Sequence, residues 1–425
     1  MLRARVVLPI SQPPIHDGAV LVRGGRIQAV GPWRHLAVQS RVRTLDLGDA
    51  AILPGFVNAH CHLDYTDMAG LFVQPRLFTD WLKLITTAKA DWSYSDYAQS
   101  WLKGAAMLLR TGTTTVADIE AVPDLLPQVW DATPLRVLSL LEMIGLTRRR
   151  PPAEILRQAV DHIDALGASR FQAGLSPHAP WSTLPELLRL CARAARRRRW
   201  LLCTHVAESA LEYEMFVHGR GEMFDWLRRS TRDMSDCGLR SPVEHLEHCG
   251  VLGENLLAVH VNYLGKHDPA LLGRRKVHVV HCPRSQVYFR HDPFPLGRLA
   301  RAGVNVCLGT DSLASVVTSR RQPVELNMFE EMRTLAKKHP RLSARTILRM
   351  ATVNGARALG LAGRVGELSA TAFADLIIIP FAGNPAEVCD AVLQHKGDVL
   401  ASMIAGRWAI APHGIEVSAA VAEAA

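Results

Sequence analysis

No two of the eight cysteines, at 61, 191, 203, 237, 249, 282, 307 and 389, form a C-x-x-C pair or a tight framework. That absence argues against the disulfide scaffold of small secreted domains. Several of these cysteines fall inside apolar strand-like runs, as buried reduced thiols do. No apolar run reaches the roughly 18 residues that a membrane span requires. The start, MLRARVVLPI, has neither a long apolar stretch nor a small-residue cleavage site, which argues against a signal peptide and for the cytoplasm. No Gly-rich turn follows the first strand of the central region, so a dinucleotide-binding open sheet is disfavoured. The basic residues lack interleaved aromatics. The net charge of +9 and the run Arg196 to Arg199 therefore read as a solvated helix end, where cations complement the dipole, and nucleic acid is not an expected partner.

What is present points to an α/β chain of 425 residues with one large domain and a small module. Residues 1–54 read as short strands with Gly-rich turns and no long helical period. From Gly55 to Gly363, eight apolar runs alternate with amphipathic helical stretches, the pattern of a parallel sheet with crossover helices. The runs are GFVNAH, Thr114 to Asp118, Leu135 to Leu141, Phe171 to Ser176, Leu201 to Val206, Leu257 to Val261, Val277 to Cys282, and Asn305 to Asp311. Eight such units predict a (β/α)8 barrel over residues 55–363. Strand-like character returns over residues 364–425, in LIIIP and VLASMIAGRWAI. Both chain ends are expected to build one small β-sandwich-like module, and VSAAVAEAA to form a frayed tail.

Within the barrel region, ionisable residues gather at one place in each run. His60 and His62 end the first, His178 follows the fourth, and His205, His260, His281 and Asp311 end the fifth to eighth. This is the C-terminal face on which barrel enzymes collect their catalytic groups. In PGFVNAHCHLD the two histidines alternate along a strand and so share a face, where they can share a metal ion. A catalytic site of zinc type needs imidazole and carboxylate ligands and a position left for water, and His60, His62, His205 and Asp311 supply that set. Glu208, three residues beyond His205 in HVAES, is placed to carry a proton between water and a leaving group. Its other reading is a helix N-terminal glutamate that complements the dipole.

Taken together, PGFVNAHCHLD, SPHAPWS, THVAES, AVHVNYL, HCPRSQ and LGTDSLAS resemble the amidohydrolase superfamily, in its mononuclear branch of aromatic deaminases and chlorohydrolases. The resemblance implies one divalent ion, zinc or alternatively iron(II), on His60, His62, His205 and Asp311. It further implies proton shuttling by Glu208, orientation of the reacting water by His260, and substrate contacts from His178 and Ser315. His281 is left to a supporting or structural role. The fourth run, FQAGLSPHAP, has no lysine of the kind that bridges two metals in other branches, which favours a single ion. Where many relatives carry Asn-Pro-x-Ser-Asn this chain has HCPRSQ. There Arg284 either meets a substrate carboxylate or pairs with a loop acid such as Asp292. Phe78, Trp81 and Leu82 either wall an aromatic substrate or form a packed helix face. Arg148, Arg149 and Arg150 either reach the site or lie in solvent.

The resulting expectation is a metal-dependent hydrolytic deaminase of an adenine-type nucleoside, with aminodeoxyfutalosine or S-adenosylhomocysteine as the candidates the resemblance suggests. The partner is then a small molecule, with a homodimer as a possible assembly and no membrane or nucleic acid. A chlorohydrolase uses the same addition with chloride departing. A non-catalytic metal-binding barrel needs the ligands but not Glu208 and His260.

Overall fold

The computed structural model describes residues 1–39, 42–147, 149–166, 172–318 and 324–412. Arg148, the first residue of the fourth predicted run, Phe171, and the tail VSAAVAEAA lie outside the described residues.

The N-terminal stretch supplies five strands, β1 (Leu2–Val7), β2 (Ile15–Arg23), β3 (Arg26–Pro32), β4 (Leu45–Asp46) and β5 (Ala50–Pro54). A short helix over Trp33–Gln39 interrupts them, where the sequence predicts only strands and turns. At seven residues it is shorter than the window in which a helical period declares itself. The eight barrel strands follow as β6 (Phe56–Cys61), β7 (Thr113–Glu120), β8 (Arg136–Met143), β9 (Gln172–Pro177), β10 (Leu202–Val206), β11 (Leu256–His260), β12 (His278–His281) and β13 (Asn305–Leu308). Near the C-terminus come β14 (Leu376–Pro380), β15 (Ala401–Ile404) and β16 (Arg407–Ile410).

Two sheets result. In the first, β16, β15, β14, β5, β1, β2 and β3 lie side by side with β4 against β1. The two chain ends meet where β14 pairs antiparallel with β5, Leu376 opposite Pro54 and Ile378 opposite Ile52. In the second, β6 to β13 run parallel in sequence order with helices between them, the (β/α)8 arrangement. Strands β6, β7, β10, β11 and β12 are buried along their whole length. Burial on both faces explains why they read as continuous apolar runs rather than alternating ones.

Closure of the barrel falls at the functional end. Asn58 of β6 donates from Nδ2 to Thr310 Oγ1 at 2.7 Å and accepts the Thr310 backbone N–H at 3.1 Å. The Asp311 N–H donates to the His60 carbonyl at 3.1 Å. Gly309 permits this approach, since a Cβ there would stand 2.8 Å from the His60 carbonyl oxygen. One seam thus joins the first strand to the turn after the eighth and fixes two candidate ligands relative to each other.

Candidate metal and active site

The histidines at the strand ends converge. His60 Nε2 lies 3.6 Å and His62 Nε2 3.7 Å from Asp311 Oδ1, and His205 Nε2 is 3.2 Å from His60 Nε2. All four residues are buried. Ligand atoms about 2.1 Å from a tetrahedral ion stand roughly 3.4 Å from one another, the spacing seen here. The donor chemistry fits as well. His205 presents Nδ1 to the His178 carbonyl at 2.9 Å, which leaves Nε2 as the free lone pair. Burial and neighbouring histidines hold His205 well below its ordinary pKa, and His62 is lowered to about 3 by the same causes, so both are neutral ligands. Burial opposes ionisation of Asp311, but the His60 hydrogen bond and the imidazoles of His260, His60 and His62 that face it outweigh burial, and its pKa lies well below the carboxylate range. These residues fit one divalent cation.

His260 completes the group. Its Nε2 is 3.5 Å from Glu208 Oε1 and 4.0 Å from Asp311 Oδ2, and with His60 and His205 it forms a second set of mutually close donors. Burial pushes Glu208 well above the carboxylate range, with Asp311 and Glu212 adding to the shift. Glu208 and Asp311, both beside His260, are thus shifted in opposite directions. His260 and Asp311 both carry positive φ, +73° and +56°, a region that non-glycine residues occupy rarely and chiefly where function demands it.

The loop carrying Glu208 is held from behind. Glu212 accepts the backbone N–H of Ala207 at 3.0 Å and of Glu208 at 2.9 Å, and Asn262 Nδ2 donates to the Glu208 carbonyl at 3.0 Å. The loop after His62 has a similar brace. Asp118 accepts the Leu63 N–H at 2.9 Å and the Trp101 indole N–H at 2.8 Å. Sequence reasoning assigned neither Glu212 nor Asp118; an acid inside a wholly buried strand, as in TVADIE, was the available signal for the latter.

The cavity over this centre is roofed by the helix Phe78–Ala90, which turns Phe78, Trp81, Leu82, Ile85, Thr86 and Lys89 toward it. Their spacing of three and four residues is one helical stripe. Trp81 lines the cavity and donates its indole N–H to the Ala314 carbonyl at 3.1 Å. His178 lines it too, with Nδ1 2.7 Å from Ser182 Oγ. Two predicted substrate contacts do not. Ser315 is fully buried beneath Asp311 and donates to Asp311 Oδ2 at 3.2 Å, so it orients a ligand, and Ser312 takes the place at the cavity wall. Arg284 opens the helix Pro283–Phe289 and turns away, donating to the Glu325 carbonyl at 2.8 Å with Glu331 Oε1 at 3.6 Å. Its partner is Glu331, not Asp292. His281 lies flat on Phe294 with ring centroids 3.8 Å apart, outside the cavity. Arg149 and Arg150 are exposed. Glu142, at the end of β8, lines the cavity although the predicted third run stopped one residue short of it.

The amidohydrolase family profile matches residues 51–409. The chain belongs to the amidohydrolase family. A bacterial imidazolonepropionase-like composite-domain profile also matches residues 18–38, within the sheet built from both ends. A 5-methylthioadenosine/S-adenosylhomocysteine deaminase of Syntrophobacter fumaroxidans is 36% identical to this amidohydrolase over 382 residues, covering 86% of this chain and 80% of the relative. A 5'-deoxyadenosine deaminase of Methanoregula boonei is 30% identical over 350 residues, 79% and 72% of the two chains. The crystal structure of an adenosine deaminase from Xanthomonas campestris with bound zinc superimposes with a TM-score of 0.80 at 27% identity, over 96% of this chain and 92% of that one. Among the described residues of this amidohydrolase, no helix is long and apolar enough to cross a membrane.

Proposed function

We propose that this amidohydrolase is a metal-dependent deaminase of 5'-substituted adenine nucleosides, replacing the ring amine by oxygen and releasing ammonia. The observation that carries the proposal is the convergence of Glu208 and Asp311 on His260, whose Nε2 lies within 4.0 Å of both, with the two carboxyl groups shifted in opposite directions. Two titratable groups driven apart by their surroundings are the acid and base of a hydrolytic reaction.

One divalent ion on His60, His62, His205 and Asp311, which we take to be zinc, supplies an activated water when bound. Asp311 accepts the proton of the attacking water at its carboxylate. Glu208 donates its proton to the ring nitrogen adjacent to the carbon under attack, then relays the proton held by Asp311 to the departing amine, and regains its own from the added hydroxyl as the ring carbonyl forms and the carbon–nitrogen bond breaks. His260 Nε2, facing both carboxyl groups, orients the oxygen that adds to the ring. Phe78 and Trp81, whose ring centroids lie 5.9 Å apart, offer the flat apolar wall that a purine requires.

The relatives act, by name, on 5-methylthioadenosine, S-adenosylhomocysteine and 5'-deoxyadenosine, which share an adenine nucleoside altered at the 5' position. The case for a carboxylated substrate rested on Arg284 and weakens with it, since that side chain is engaged by Glu331. Chloride displacement has no support among these deaminase-named relatives. The site residues and the module boundaries near residues 54 and 364 are part of the same proposal, the latter resting on which strands share a sheet.

The test is a panel of adenosine, 5'-deoxyadenosine, 5'-methylthioadenosine, S-adenosylhomocysteine, aminodeoxyfutalosine and free adenine, with ammonia release and the ultraviolet change from adenine to hypoxanthine read together. The expected result is stoichiometric ammonia from at least one 5'-substituted nucleoside, at a higher kcat/KM than from free adenine. Absence of ammonia from every nucleoside overturns the reading.

A further inference from the structure

One wall of the cavity carries polar groups that the deamination chemistry leaves idle. Glu142 ends β8, the third barrel strand, and its side chain is only 8% exposed. Among the described residues no N–H or O–H group donates to it; the nearest charged partner is His178 Nε2 at 4.0 Å, beyond hydrogen-bond reach. Burial works against its ionisation, yet His178 and Lys89 outweigh that cost and hold its pKa below the ordinary carboxyl range. A buried carboxylate without a donor is unfavourable unless something fills the space before it.

Lys89, on the last turn of the roof helix, lines the same cavity. Its ammonium is hydrogen-bonded to the Tyr65 hydroxyl and lies 4.8 Å from the Tyr65 ring centroid. Tyr65 in turn stacks on His62 with centroids 5.2 Å apart. Among the described residues lining the cavity, Lys89 is the one lysine or arginine. The cavity therefore offers an acceptor in Glu142 and a donor in Lys89, the latter tied through Tyr65 to the loop that follows His62.

Resting on the deaminase reading above, we propose that Glu142 and Lys89 form the sugar subsite, Glu142 accepting from the vicinal hydroxyls of the ribose and Lys89 donating to their oxygens. A hydroxyl is both donor and acceptor, and a pair of them matches a carboxylate and an ammonium that line one cavity. The placement agrees. The reacting carbon must lie against Asp311, Glu208 and His260, which follow the eighth, fifth and sixth strands. Glu142 ends the third, with His178 between it and His205, whose ring is 4.9 Å from that of His178. A purine with its amine at the ions' side of the cavity directs its glycosidic bond toward this wall. Ile144, two residues beyond Glu142 and 51% exposed, lies at the outer rim of the same cavity. There a 5' substituent leaves for solvent over an apolar surface.

The experiment compares kcat and KM for adenosine and 2',3'-dideoxyadenosine on the metal-loaded protein and on Glu142→Gln, with melting temperature and metal content recorded for each. The wild type is expected to favour adenosine by about ten- to a hundred-fold in kcat/KM, the worth of hydrogen bonds to a charged group. Glu142→Gln is expected to shrink that preference to about threefold or less, mainly through KM. A wild type indifferent to the hydroxyls, or a variant that loses equally on both nucleosides, overturns the sugar subsite. Should Glu142→Gln fail to fold, Glu142→Asp, which withdraws the carboxylate by one methylene, must shrink the preference in its place. A wild type that deaminates neither nucleoside, nor any in the panel above, contradicts the deaminase reading itself and is told apart by that result.

Discussion

Glu208 and Asp311 are both buried carboxyl groups within reach of His260, and they titrate in opposite directions because only Asp311 has the imidazoles of His60 and His62 for neighbours. That difference separates proton transfer from metal binding. Glu208→Gln is expected to keep its metal while turnover falls by roughly two to four orders of magnitude, the worth of a general acid or base. His205→Ala removes a ligand and is expected to lose the metal itself. Elemental analysis beside steady-state kinetics checks both, and near-normal turnover by Glu208→Gln sinks the assignment. The convergence of the candidate ligands was legible in the sequence because each lies at or just beyond the end of an apolar run, on the face that the parallel strands share. Arg284 and Ser315 were not. The direction of each depends on how the segment after the strand docks, and Arg284 follows Glu331 of the helix Met328–Lys338.

At the scale of elements, the barrel depends on braces that join one loop to another. Glu212, in the first turn of the helix Ala210–His218, ties down the Glu208 loop through two backbone N–H groups. Burial pushes its carboxyl up to about 7 in spite of those bonds, against about 4.3 in an unfolded chain. The folded state therefore holds a proton that the unfolded state has released between those values, and the stability due to this group is greatest below about pH 4.3 and is lost as pH rises to about 7. From pH 5 to pH 8 the wild type is expected to lose stability, on the order of a few kcal/mol, relative to Glu212→Gln. Denaturant unfolding of the two proteins across that range decides it, and parallel profiles contradict it. Seven strand runs of the barrel were readable from hydrophobic patterning to within a residue or two, and the eighth ends at Leu308, three residues before Asp311, because the chain turns there to meet β6; Trp33–Gln39 was too short to show a period. Glu142 was missed for a related reason. The apolar run LSLL stops before it, but pairing with β9 carries β8 on to Met143.

Across the whole molecule, the candidate ligands come from β6, β10 and the turn after β13, so one ion ties together the first, fifth and eighth strands of the barrel. An ion that binds only the folded chain stabilises it by mass action, about 4 kcal/mol when present at a thousand times its dissociation constant. Chelation is expected to lower the melting temperature by several degrees and re-addition of zinc to restore it, in a thermal scan with and without chelator. An unchanged melting temperature after verified metal removal contradicts the clamp. The joining of both chain ends in one sheet was visible as strand-like character at 1–54 and again after 363, although the order of strands was not, because register between distant segments leaves no mark in either one.

Deamination by a single metal ion held on His60, His62, His205 and Asp311 is the core of the proposed function. It is tested most directly by adding zinc stepwise to chelated protein and measuring bound metal and ammonia release on the same samples. Activity is predicted to rise in proportion to bound zinc and to level off at one equivalent per chain, with His205→Ala gaining neither. Activity that appears only as a second equivalent binds, or that persists in full with none, contradicts it.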